Sequence, residues 1–383
     1  MKIVHAAKFY PPTRGGMETV VETLCAGTPD WDVHVVAANE SASTLRERID
    51  HVDVVRVAAL GHAASAPLCP SLPLHLWGHD ADCVVLHEPN PIAGTAVWLR
   101  TPARRLIIWH HSDLLRPSWA LPTYSRIVQT SLYRRADCVI VSSPSLAAES
   151  PLARGARHVA VIPFGVDLDR YKRVDAACAA RVDAIRARTR GPRLLFVGRL
   201  VYYKGLHVLL EAARRWPGSV IVAGEGPLDG ELRAQAASLG VSDRVTFPGR
   251  IADEELIAYY HACDALVLPS VAPTETFGVV QIEAMAAGLP VVSTRLPTGV
   301  PWVNQDGVSG VVVPPGDVNA LGDALARLAS DAALRRRLAE GARKRAEALF
   351  SRDRMIQLFR HVVETVVRAP ERLDTVLAQA AVS

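Results

Sequence analysis

Two glutamates, Glu275 and Glu283, stand eight positions apart in TETFGVVQIE (residues 274–283), a run whose only other polar residues are threonine and glutamine. A carboxylate can accept hydrogen bonds from two vicinal hydroxyls at once, so such a pair suits a hydroxyl-rich ligand such as a sugar ring or a ribose. Between them, Phe277, Gly278 and Val279 offer backbone amides as donors, and Gly278 is expected to open a helix, VVQIEAMAAG, that ends at Gly288 and carries Glu283 near its second turn. RLVYYKG (199–205) places Arg199 and Lys204 just before an apolar helical segment, LHVLLEAARR. Two cations beside a helix N-terminus are built to bind a diphosphate, although loop charges can also be merely solvated. Lys204 is one of five lysines in a chain whose other cations are arginine, which sets it apart from filler. AGEGP (223–227) supplies Gly224, Glu225 and Gly226, and with Gly230 it reads G-x-G-x-x-x-G. That is one residue away from the dinucleotide fingerprint, with no clear acid closing the next strand, so a nicotinamide oxidoreductase is disfavoured.

Near the N-terminus, KFYPPTRGGMETVV puts Gly15 and Gly16 between a strand and a helix. Backbone without side chains can approach a ligand closely there, and a plain tight turn fits the same residues. IIWHHSD (107–113) ends a strand on two adjacent histidines, His110 and His111, whose side chains point to opposite faces if the extended conformation continues. Only one of them can then face a ligand directly, and either can equally be a core histidine satisfied by a carbonyl.

The elements that must hold these groups follow from the hydrophobic rhythm. Apolar runs rich in Val and Ile (KIVHA at 2, DVHVVA at 32, DCVVLHE at 82, RLIIW at 105, CVIVSS at 138, VAVIP at 159) alternate with helix-period segments. This is the pattern of a parallel sheet covered by helices. After an Arg- and Ala-rich stretch the rhythm restarts at RLLFVGR (193), SVIVAGEG (219), RVTFPGR (244), DALVLPS (264) and PVVST (290). A second doubly wound α/β domain is expected there. IPFGVDLDRY (162–171) reads as the hinge, with domains at 1–166 and 167–351, and residues from about 318 to 368 are helical in period. Ligands of open parallel sheets bind beyond the carboxyl ends of the strands, so two such domains face to face would hold a substrate in the cleft between them.

Bulk composition narrows the class. A chain of 383 residues, 49% hydrophobic, is ample for two cores. The six cysteines are scattered without C-x-x-C or zinc spacing, which suggests a reducing compartment and neither a disulfide framework nor a metal site. The N-terminal apolar stretch is too short for a signal peptide, and no run approaches a membrane span. The net charge of +4 arises in the first half, where residues 100–135 carry seven arginines against the single acid Asp113. Such a stretch suits anionic lipid headgroups, or it is a solvated face.

TETFGVVQIE is similar to the E-x7-E motif of retaining GT-B glycosyltransferases, and GRLVYYKG, GEGP, EAMAAGLPVVST and VPPGD stand in the order found in glycosyltransferase family 4. The resemblance spans nearly the whole chain. KFYPPTRGGME, WHHSD and IPFGVD look like members that build bacterial surface polysaccharides and lipid-linked oligosaccharides, often mannosyltransferases. The resemblance implies a GT-B fold, with Arg199 and Lys204 on the donor diphosphate, Glu275 on the transferred sugar, Glu283 on the ribose hydroxyls and Gly16 near the phosphates. It favours His111 as the histidine facing the donor sugar, with His110 second. Arg250 joins Gly15, Gly224, Glu225, Gly226, Phe277, Gly278 and Val279 among the donor-binding candidates. A helix at 352–368 would pack back on the first domain. Val271, Ala272 and Pro273 stiffen the approach to Glu275.

The implied reaction moves a sugar, mannose or a related hexose, from a nucleoside diphosphate to an acceptor hydroxyl with retention, in a cytoplasmic protein that is either free or peripheral on the inner face of the membrane. The acceptor would be a glycan or lipid-linked saccharide, with no nucleic acid partner. No carboxylate nucleophile stands out, so front-face attack is favoured over the double displacement of retaining hydrolases. The D-x-D spellings at 80–82 and 167–169 read as turns, and neither a metal nor another cofactor is expected. A GT-B epimerase or phosphorylase, or a non-catalytic sugar-nucleotide-binding module, is the alternative.

Overall fold

The computed structural model describes residues 1–13, 15–63, 66–113 and 124–382. The chain divides into two compact units, Met1–Phe164 with Asp353–Ser383, and Gly165–Arg352.

The strands of the first unit are β1 (Lys2–Ala6), β2 (Asp32–Ala38), β3 (Leu45–Ile49), β4 (Val52–Val57), the two-residue β5 (His62–Ala63) and β6 (Ala66–Pro67), β7 (Ala81–Glu88), β8 (Ala103–His110), β9 (Cys138–Val141) and β10 (Val159–Val161). Apart from the separate β5–β6 pair they form one sheet in the order β10-β9-β8-β7-β1-β2-β4-β3, parallel except for the β3–β4 hairpin. The runs of Val, Ile and Leu that define these strands are buried on both faces, as a parallel sheet requires. Strand β3 departs from the expected rhythm. Its sequence, LRERI, is charged and largely solvent-facing, as an exposed edge should be, and Asp50 makes the turn into β4 with φ 54°. Neither β3 nor β4 was expected from the apolar rhythm.

Helix Arg352–Arg368 closes one face of this sheet. Its buried residues Met355, Phe359, Val362, Val363 and Val366 recur at helical spacing, and Phe359 packs 6.0 Å from Trp31 and 5.8 Å from Trp109, centroid to centroid. Arg360 fixes the register by a two-pronged ion pair with Asp30 while lying over the Trp31 ring. Beyond Pro370 a further helix runs over Leu373–Val382.

The second unit contains β11 (Arg193–Val197), β12 (Ser219–Ala223), β13 (Val245–Gly249), β14 (Ala265–Leu268), β15 (Val291–Thr294) and β16 (Gly310–Val313), all parallel in the order β13-β12-β11-β14-β15-β16. Strand β16, four residues long, is a further one the rhythm did not announce. Trp216 sits in the core of this unit and donates its indole N–H to the carbonyls of Pro192 and Ser219. Strand order reverses at β11, whose neighbours are β12 on one side and β14 on the other. The topology thus opens a crevice at the carboxyl ends of these three strands.

Candidate functional site

The loops after β11, β12 and β14 are knitted together. Gly224, at φ 144°, lies so close to the Gly198 carbonyl that a Cβ would collide with it, so the glycine is required by loop packing. The Leu200 amide donates to the Glu225 carbonyl at 2.9 Å. On the other side the Val271 amide donates to the Tyr203 carbonyl at 2.8 Å, and Gly205, at φ 70°, passes against the Pro269 carbonyl where no side chain fits. These contacts bring Lys204 to Glu275. Their Nζ–Oε2 distance is 2.5 Å, both side chains are about nine-tenths buried, and the Ser270 hydroxyl donates to the same carboxylate oxygen at 3.0 Å. Two groups expected to address separate parts of a ligand are therefore joined as one ion pair. Arg199 stays exposed and makes no ion pair among the described residues. Arg250 is also exposed, with its amide 3.4 Å from the Glu225 carboxylate, and Gly226 packs against Leu200.

The helix carrying Glu283 begins later than its sequence suggests. Gly278, expected to open it, has φ 71°, a left-handed conformation outside any α-helix, and the helix spans Val280–Ala287. Glu283 accordingly lies in the first turn, not the second. Tyr260 donates to it at 2.6 Å, and burial holds its carboxyl above the ordinary glutamate range. The Phe277 ring is buried against Trp302 and Phe350, so only its backbone can serve a ligand. The amides of Gly278 and Val279 donate to no acceptor among the described residues.

In the first unit Gly16 opens helix Gly16–Ala26, and a Cβ added there would meet nothing within 4 Å. Crowding within the unit gives no reason for a glycine at this position, whereas Gly15 is crowded by the Glu18 carboxylate. His110 and His111 do separate to opposite faces. His110 is 1% exposed, with Nδ1 2.6 Å from the Tyr133 hydroxyl, which leaves it almost no surface for a ligand. His111, 7% exposed, lies near-parallel beside both Trp109 and Phe164, at 5.9 and 5.8 Å between centroids, and bonds to His87.

Beside His110 lies a buried acid that the sequence reading passed over inside DCVVLHE. Glu88 accepts from Tyr124 at 2.9 Å and Gln129 at 2.7 Å, and burial, only partly offset by these donors, lifts its carboxyl to about 7. An acid whose folded pKa exceeds its unfolded value keeps a proton that the unfolded chain releases. Stability should therefore fall as pH rises from about 4.5 to about 7, by as much as ~3 kcal/mol. Urea titrations across pH 5–8 should show this slope in the parent protein and a flatter one in Glu88→Gln; equal slopes would remove Glu88 as its source.

The D-x-D spellings have structural roles, one of them not a turn. Asp82 lies within β7 and accepts from the Lys2 amide, while Asp167 caps helix Leu168–Lys172. The basic stretch is thinner than its composition implies, because Asp137, two residues past its end, pairs with Arg105 at 3.0 Å and Arg135 is spent on the carbonyls of Val97 and Trp98. Arg116 lies outside the described residues. Arg126 and Arg134 remain exposed around a groove of about 410 Å3 lined also by Asp113, Ser125, Thr130 and Tyr133.

Comparison with known proteins adds an independent line. Residues 182–345 match the model of the glycosyl transferases group 1, and residues 14–170 that of Glycosyltransferase Family 4. An O-antigen chain mannosyltransferase C of Escherichia coli is 30% identical over 375 residues, covering 96% of this chain and all of that one. The D-rhamnosyltransferase WbpZ of Pseudomonas aeruginosa is 32% identical over 340 residues, covering 85% of this chain and 86% of its own. Among solved structures, Alr3699/HepE of Anabaena in complex with UDP has a TM-score of 0.78 at 24% identity, covering 95% of this chain and all of that one. The sucrose-phosphate synthase of Thermosynechococcus elongatus has a TM-score of 0.77 at 24% identity, covering 94% of this chain and 98% of that one. These likenesses establish the GT-B fold.

Proposed function

Because this chain belongs to glycosyltransferase family 4, we propose that it moves a hexose, mannose or a close relative, from a nucleoside diphosphate to a hydroxyl of a glycan or lipid-linked saccharide, with retention at the anomeric carbon. The reading is carried by the Lys204–Glu275 ion pair, which joins the loops at the carboxyl ends of the adjacent strands β11 and β14. The mannosyl- and rhamnosyltransferase relatives support the sugar class and a place in bacterial polysaccharide synthesis.

In this scheme Arg199 and Lys204 take up the charge that develops on the departing diphosphate, with the Gly278 and Val279 amides as further donors. Glu275 faces the sugar ring as it gains positive charge, and Glu283 holds the ribose. Gly16 lets backbone approach the phosphates, and His111 donates to a sugar hydroxyl. The acceptor hydroxyl attacks on the face from which the diphosphate leaves, and its proton passes to a diphosphate oxygen. The leaving group's charge is balanced by protein cations, so the scheme needs no metal. Incubation with GDP-, UDP-, ADP- and dTDP-hexoses and a saccharide acceptor, with the product's anomeric configuration read by NMR, tests the reading. Transfer with retention is expected. Inverted product would overturn the mechanism, and donor binding without transfer or hydrolysis would leave a binding module.

The same reading places the protein at the cytoplasmic face of the membrane, with Arg126, Arg134 and the 54% exposed Ile127 meeting anionic headgroups. Among the described residues no helix is long and apolar enough to cross a membrane. Sedimentation with anionic but not neutral liposomes is expected, weakening as salt shortens the Debye length to about 8 Å near 0.15 M. Equal binding to both, or to neither, would count against the patch.

A further inference from the structure

Three histidines on neighbouring strands form a buried chain. His5 lies in β1, His87 in β7 and His111 just past β8, and the registers of these strands put His5, Val85, His87, Trp109 and His111 on one face. His5 Nδ1 is 3.0 Å from His87 Nε2, and His87 Nδ1 is 3.1 Å from His111 Nε2. Successive rings lie edge to edge and near-parallel, 24° and 27° apart with centroids 5.3 and 5.4 Å apart, and Phe359 closes the His5 end.

Each contact needs one proton and one lone pair. Burial pushes His5 down to about 4 and His111 to about 3, and lowers His87 well below the ordinary histidine value, so all three rings are neutral near pH 7. A neutral ring has one N–H, so the two bonds must run in the same direction along the chain. Running from His111 toward His5 would leave an N–H on His5 Nε2, which is buried and has no hydrogen-bond partner among the described residues. Running from His5 toward His111 leaves only a lone pair there, and an orphaned buried N–H is the rarer and costlier state. In that direction every ring carries its proton on Nδ1. His111 Nδ1 has no partner among the described residues, and His111 keeps 7% of its surface exposed where His5 keeps none.

The geometry points to His87, backed by His5, as a positioning residue that fixes His111 as an Nδ1–H donor to the donor sugar, an inference that rests on the proposed function for the sugar but not for the tautomer. A histidine side chain in water prefers the Nε2–H form, so the chain reverses the default. The acceptor on the ligand would be a hydroxyl or ring oxygen lying against His111.

The full chain labelled with 15N-histidine gives the tautomers directly through two-bond 1H–15N spectra at neutral pH, with His111 identified from His111→Gln. We expect a protonated Nδ1 and a bare Nε2 at His111; the opposite pattern in the parent protein would overturn the proposal without any variant having to fold. His87→Phe, which keeps an aromatic ring in the row, should return His111 to a mixture rich in Nε2–H and lower kcat/KM for the donor about tenfold. His5→Phe should retain the Nδ1–H form, since the same cost argument then applies to the buried, unpartnered Nε2 of His87. A purely structural role would not separate these two variants in the spectrum, and an unchanged tautomer in His87→Phe would overturn the positioning role. Should the tautomer change while transfer does not, the chain stands and the assignment of His111 to the sugar falls.

Discussion

Replacing Lys204 with alanine should cost the protein about 3 kcal/mol of stability in addition to its turnover, because it strands the Glu275 carboxylate in a site nine-tenths buried. For a unit of this size that is a fall in melting temperature of roughly 10 °C. Turnover should fall by at least about 2 kcal/mol of transition-state stabilisation, since the lost cation is the one proposed to hold the leaving diphosphate. Arg199→Ala should show a similar kinetic loss with little change in melting, because Arg199 is exposed and supports no ion pair among the described residues. The two effects at position 204 can be separated by the double variant Lys204→Met with Glu275→Gln. With neither charge left, most of the stability should return, whereas turnover should not. A Lys204→Ala protein that melts like the parent would show that the pair contributes nothing to the fold, and one that turns over like the parent would remove Lys204 from the diphosphate.

How Lys204 meets Glu275 was not legible in the sequence, although both residues were. They are 71 positions apart, and what joins them is the adjacency of β11 and β14 together with the bond between Val271 and Tyr203. Hydrophobic rhythm announces strands and says nothing of their order, so it can place residues at strand ends without saying which ends are neighbours. The His5–His87–His111 chain was hidden for the same reason, since it needs β1, β7 and β8 side by side. Only His111 stood next to a recognisable motif. Glu88 offered a local signal, an acid closing the apolar run DCVVLHE, but its donors Tyr124 and Gln129 lie 36 and 41 residues on.

Where local chemistry dominates, the sequence was more informative. The both-faces-buried strands read directly as apolar runs, and Gly288 ended the helix bearing Glu283 in the left-handed conformation glycine favours. The apolar run VVQIEAMAAG does not reveal that Gly278 takes a positive φ, which ends the preceding loop and delays the helix to Val280. Strand β3 escaped notice because an exposed antiparallel edge needs charge and not hydrophobicity.

The two glutamates of TETFGVVQIE should fail in different ways, and the structure sharpens how. Glu275→Gln keeps an oxygen for the Ser270 hydroxyl but gives up the charge facing Lys204 and, in the proposed mechanism, the ring that becomes positive. An interaction that tightens in the transition state raises turnover, so this variant should chiefly lower kcat. Glu283→Gln gives up a charged acceptor for the ribose, which is unchanged during reaction. It should chiefly raise the donor KM, by the factor that corresponds to about 1.5 to 3 kcal/mol. The raised carboxyl of Glu283 adds a pH signature. Protonation removes the acceptor at a higher pH than for an ordinary glutamate, so the donor KM of the parent should climb on mild acidification. In Glu283→Gln that climb should disappear, since no proton is left to bind. Glu275→Gln should melt lower, because it leaves Lys204 without its buried partner, so both variants are assayed well below their own melting temperatures. Two folded variants with the same kinetic defect and the same pH profile would show that one ligand group, not two, is held by this stretch.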